Sequence, residues 1–86
     1  MKTTKTTRKA EAPDVTTLED AQVLIGREFT ANGMRHRITD AWIHKYAKYG
    51  IIEVALVEVR IWTSPNRSHS EILELHELNA LIRQAR

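Results

Sequence analysis

On both sides of Asn32-Gly33 the chain alternates between apolar and polar positions, EFTA before the dipeptide and MRHRI after it. A period of two marks a half-buried strand, and Asn-Gly supplies the two positive-φ residues that a two-residue type I′ turn requires. The register of the hairpin follows from the turn. Ala31 pairs with Met34, Thr30 with Arg35, Phe29 with His36, Glu28 with Arg37 and Arg27 with Ile38. One face collects Phe29, Ala31, Met34 and Ile38, with His36 beside Phe29. The other collects Glu28, Thr30, Arg35 and Arg37, with Glu28 opposite Arg37 as an attractive cross-strand pair.

A second long strand is expected in GIIEVALVEVRIWT. From Val57 it alternates, with Val57, Val59 and Ile61 inward and Glu58, Arg60 and Trp62 outward. Residues 51–56 are apolar at nearly every position, which predicts a strand covered on both faces or bent by a bulge. TSPNRSHS reads as a turn with Pro65 at its second position. EILEL resumes as a short strand, and ELNALIRQAR ends the chain as a helix with Leu78, Leu81, Ile82 and Ala85 on one stripe. One helix starting at Ser68 competes with this reading, because Ser68 and Glu71 also spell a capping box. Ahead of the hairpin, Thr17 and Asp20 cap a short helix carrying Leu18 and Ala21, and Gly26 stops it.

The expected order is a short helix, a meander of four to five antiparallel strands and a terminal helix, a mostly β fold of the α+β class. Its strand order and hairpin placement resemble the SH3-like small barrels over about residues 18–85, and that resemblance implies a closed sheet. Residues 17–86 form the expected single domain. Residues 1–16 are basic, rich in threonine and poor in large apolar side chains, the composition of a disordered tail.

Charge sharpens this picture. The net charge is only +2, but it is unevenly spread. Residues 1–12 carry Lys2, Lys5, Arg8 and Lys9 against Glu11. Residues 27–69 carry Arg27, Arg35, Arg37, Lys45, Lys48, Arg60 and Arg67 against Glu28, Asp40, Glu53 and Glu58, while the stretches flanking this middle are acidic. An anion-binding face is one use of such a split. The chain has no cysteine, which removes disulfides, thiolate metal sites and cysteine nucleophiles and suits a reducing compartment. No stretch approaches the ~18 apolar residues of a membrane span, so the expected location is the cytoplasm.

Catalytic signatures are weak. Gly26, Gly33 and Gly50 form neither of the common phosphate-cradling loops, and His36, His44, His69 and His76 lack the i, i+4 helical spacing of a metal pair. The sequence therefore predicts binding, without an enzyme activity, cofactor or metal. The candidate surface combines Arg35 and Arg37 on the hairpin, Arg60 and Trp62 on the next strand, and the connecting segment HKYAKYG with Lys45, Tyr46, Lys48 and Tyr49. Arg67 lies at its edge. Cations that neutralise phosphates and rings that stack bases are the combination used to hold single-stranded nucleic acid, DNA or RNA. The same residue types anchor protein interfaces, so the second reading is an adaptor or small inhibitor of phage or plasmid type docking on a larger protein. Seventy folded residues bury a small core, which also makes a homodimer compatible with either reading.

Overall fold

A computed structural model of the chain describes residues 15–47, 50 and 52–85. Helix α1 spans Leu18–Val23, strand β1 Glu28–Ala31, β2 Met34–Tyr46, β3 Ile52–Ser64 and β4 Arg67–Glu74, and helix α2 spans Leu75–Gln84. The strands form one antiparallel sheet in the linear order β1-β2-β3-β4. Residues 1–14 of the expected tail lie outside the described residues; its last two, Val15 and Thr16, belong to the fold, Val15 packing in the core and Thr16 bonding to Asp20.

Hairpin β1-β2 has the register that its turn dictates, Ala31 with Met34 through Glu28 with Arg37. Asn32 and Gly33 take φ of 55° and 76°, the left-handed region that the turn demands. Thr17 caps α1: its Oγ accepts from the Asp20 amide at 3.1 Å, and the Asp20 carboxylate accepts from the Thr16 and Thr17 amides and the Thr16 hydroxyl. Past the helix, Gly26 adopts φ 91° and donates its N–H to the Ile38 carbonyl at 2.7 Å. That bond ties the end of α1 to β2.

The SH3-like closure expected from the strand order is not present; the sheet is open. Both helices lie on one face, where Val15, Ala21, Ile38, Ala41, Val57, Val59, Ile61 and Leu78 make the core. Helix α2 leaves β4 and crosses this face as far as β1. Leu78 is fully buried, with Ile82 packed against the same cluster. With helices available to cover the inner face, the sheet does not have to curl upon itself to hide it.

Two local expectations change, and one open alternative is decided. The turn after β3 shrinks to Pro65-Asn66, because β4 pairs with β3 from Arg67 onward and an extra residue at Thr63 absorbs the irregularity. β4 runs to Glu74 and α2 begins at Leu75, so the region around residues 70–76 is strand first and helix after. At residues 52–56 the strand is not covered on both faces: residues 52–55 pair with β2 as a two-stranded ribbon, Leu56 also pairs with Glu74 of β4, and all stay exposed or half-exposed.

Asn79 of α2 joins the two ends of the fold. Its Oδ1 accepts from the Val15 amide at 2.7 Å and its Nδ2 donates to the Val15 carbonyl at 2.8 Å. Val15 itself is 3% exposed, so the clamp delivers an apolar side chain into the core. Replacing Asn79→Ala strips both partners from a partly buried backbone unit and should cost about 2 kcal/mol, read as a lower urea midpoint at unchanged slope.

Hydrogen bonds from the Thr16 backbone and side chain, and then from Thr17, hold the Asp20 carboxyl below the usual carboxylate range. A depressed folded-state pKa gives stability that is complete above the unfolded value and disappears as the pH falls through the folded one. Asp20→Asn should accordingly lower the neutral plateau of a thermal-stability profile and flatten its acid limb, with the least change at the acid end, where the wild-type carboxyl is already protonated.

Candidate ligand face of the sheet

The face opposite the helices carries no covering element among the described residues. Its composition is decided by an irregularity in β2. Register with β3 shifts between Ile38 and Asp40, so Thr39 and Asp40 together stand against Glu58. The Thr39 hydroxyl donates to the Glu58 carbonyl at 3.2 Å and to its carboxylate at 2.9 Å, which pins the bulge. A bulge adds one residue and so reverses which side the following residues face. Ala41 becomes the buried residue, and Trp42, His44 and Tyr46 move to the same side as Arg35 and Arg37.

Two regions result. At the hairpin end, Arg35 stands opposite Trp62, and Arg37 opposite Arg60. The Arg35 guanidinium lies 3.9 Å from the centroid of the Trp62 ring, and that of Arg37 lies 5.7 Å away. Arg37 is also held by Glu28, its cross-strand neighbour, and Arg60 donates to the Ser68 hydroxyl at 2.8 Å. Ser68 and Ser70 complete this corner on β4, opposite Trp62 and Arg60. Their short side chains leave the guanidinium groups overlooking open ground.

At the other end, Trp42 pairs with Leu56, His44 with Val54 and Tyr46 with Ile52. The His44 and Tyr46 rings meet edge to face at 4.5 Å, while Tyr46 and Ile52 are each about half exposed. Asp40, Glu58 and Thr39 separate this apolar end from the arginine corner.

The expected cluster is therefore only partly assembled. Arg35, Arg37, Arg60 and Trp62 come together. Lys45 does not join them, because the bulge sends it to the opposite side, where its Nζ lies 3.8 Å from Glu53. Tyr46 shares the face but lies about 30 Å along the strands from Trp62, at ~3.3 Å of rise per residue. His44, Lys45 and Tyr46 are strand residues where a connecting loop was expected, and Lys48 and Tyr49 lie outside the described residues. Arg67 is exposed at the start of β4, on the opposite side of that strand from Ser68. The apolar group of Trp42, Val54, Leu56 and Ile52 was missed. Its signal was Ile-Thr-Asp-Ala-Trp, in which a small alanine is the natural core residue and a tryptophan is not.

His36 is buried against Phe29, with ring centroids 5.1 Å apart, and its Nδ1 sits 2.8 Å from the Met34 carbonyl. It is a core residue whose ring nitrogen donates to the backbone. Among the described residues no three His, Asp or Glu side chains group as metal ligands, and no helix is long and apolar enough to cross a membrane.

No family model, curated protein or solved structure matches this chain. What defines it is a four-stranded antiparallel sheet backed by two helices, with an open face that places arginines around a tryptophan at one end and apolar side chains at the other.

The contact between Arg35 and Trp62 is open to direct measurement. A double-mutant cycle with Arg35→Ala and Trp62→Ala, followed by urea unfolding, should give a coupling of about 0.5–1 kcal/mol, the usual strength of a cation over an exposed ring.

Proposed function

We propose that this protein is a small cytoplasmic binding module for single-stranded nucleic acid that works through the arginine corner of its open sheet face. The observation that carries the reading is the stacking of Arg35 on Trp62, with Arg37 and Arg60 within the same two residue rows. A guanidinium lying on an indole makes a planar, cationic platform, and unpaired bases stack on such planes while neighbouring cations take the phosphates. Open antiparallel sheets backed by helices serve this chemistry well, because the helices leave one face free for an extended strand.

Fluorescence anisotropy of a labelled oligonucleotide titrated with the full chain tests the reading. Single-stranded DNA or RNA should bind saturably at low salt, and Trp62→Ala should weaken binding by ~1–3 kcal/mol. Arg60→Ala should reduce the slope of log K against log salt by about 0.7, the share of one phosphate contact on a single strand. Absence of binding to single strands at low salt overturns the proposal.

The apolar end favours a second reading, a docking site for a larger protein. Trp42, Tyr46, Ile52 and Leu56 form the kind of aromatic and aliphatic group on which interfaces are anchored, and a backing of Asp40 and Glu58 marks its limit. Loss of a stoichiometric, nuclease-resistant partner on Ile52→Glu, with oligonucleotide binding intact, is the result this reading expects.

A further inference from the structure

We infer that β4 is a self-pairing edge, through which two copies of this chain join their sheets antiparallel about a two-fold axis at Ser70. This goes beyond the ligand reading and does not depend on it. Among the described residues β4 has a neighbour on one side only; it is eight residues long and exposed at every position except the half-buried Leu73. The opposite edge, β1, is four residues long and has α2 against it. A long exposed edge presents backbone donors and acceptors to another strand, and proteins that remain single usually blunt such an edge with lysine, proline or an inward charge. Between Arg67 and Glu74 there is neither lysine nor proline, and the carboxylate on the helix side of the strand, Glu71 opposite Val59, is half exposed and lies within hydrogen-bond reach of His69.

The register follows from the chain's own charges. When two identical strands pair about an axis perpendicular to the sheet, opposed residues must face the same side, so the axis passes through a residue. Axes at Ser70 and Glu71 use the most of the strand, because both lie at its middle. An axis at Glu71 sets two carboxylates against each other. An axis at Ser70 sets His69 against the second copy's Glu71, and Glu71 against its His69, while Ser68 meets Ile72. Residues 67–73 all find partners.

His69 and Glu71 already lie 3.1 Å apart on one strand and are half exposed, so the second copy completes a group of two imidazoles and two carboxylates on ground that α2 leaves open. On the other face, Ile72 gains cover for a side chain that is 51% exposed. The same axis aligns the arginine corners. Arg37, Arg60 and Ser70 occupy one row of the sheet, so the row continues through the second copy's Ser70, Arg60 and Arg37. The two Arg60 positions stand about 14 Å apart, three strand spacings of ~4.8 Å.

The absence of native cysteine makes the register directly testable. Residues opposed across the axis have Cα atoms ~4.5–5.5 Å apart, within disulfide reach, whereas the two Ser68 positions are offset by four residues and lie beyond it. Full-length Ser70→Cys should therefore oxidise to a covalent dimer about tenfold faster than Ser68→Cys or Ile72→Cys. By sedimentation equilibrium the unmodified chain should dimerise reversibly, His69→Glu should raise the dissociation constant about tenfold, and His69→Glu with Glu71→Lys should restore it. Circular dichroism confirms that each variant keeps its fold. A chain that stays monomeric at all concentrations, cross-linking equally fast at positions 68 and 70, or fastest cross-linking at position 72 would each overturn the inference. None of these results depends on whether an oligonucleotide binds.

Discussion

The bulge at Thr39 and Asp40 is the feature on which the two faces of the sheet depend. Strand alternation is strict, so a β2 continuing without interruption from Ile38 would turn Trp42, His44 and Tyr46 toward the helices and Ala41 and Lys45 toward solvent. Without the extra residue the buried place opposite Val57, which Ala41 fills, would fall to Asp40 and set a carboxylate in the aliphatic cluster. One inserted residue, held by the Thr39 hydroxyl on Glu58, resolves the conflict. Ala41 enters the core at 5% exposure, and the bulky side chains move to the open face.

Coverage of the other face rests on connections that are local at one end and distant at the other. The Thr17-Asp20 box and the Gly26–Ile38 bond set α1 against β2 from residues close in sequence. Asn79 reaches back across most of the chain to Val15. In a domain this small each such tie matters, because the buried aliphatic cluster is short of large side chains and a single lost anchor exposes a substantial fraction of it. Leaving the second face open is affordable only because polar and charged residues occupy much of it. The arginine corner is solvated, and the apolar end begins at Trp42 and Leu56, beside the last residue of β4, and runs onto the two-stranded ribbon past it.

The open face also links the ligand reading to the edge reading. Ser68 and Ser70 stand between the arginines and the free edge, so whatever lies on the corner can extend over β4 without meeting a large side chain. A second sheet joined there lengthens the same surface. One short strand thus contributes its side chains to the face and its backbone to the edge.

Several parts of this structure were legible in the residues alone. Asn32-Gly33 determined the register of the first hairpin, because only residues that tolerate positive φ fit a two-residue turn. Thr17 with Asp20 determined a helix start, and the alternation from Val57 to Trp62 determined which of those residues face the core. These are short-range effects, written within a few neighbouring positions. The tertiary structure decided the rest. Whether the sheet closes depends on where α2 packs, and no local pattern records that. The location of the bulge depends on which side chain fits beneath the helices, and through it the separation of Lys45 and Tyr46 from Arg35, Arg37, Arg60 and Trp62. Periodicity fixes which residues share a face only while the alternation is unbroken, and one inserted residue, chosen by packing against distant parts of the chain, reverses the assignment of every residue after it.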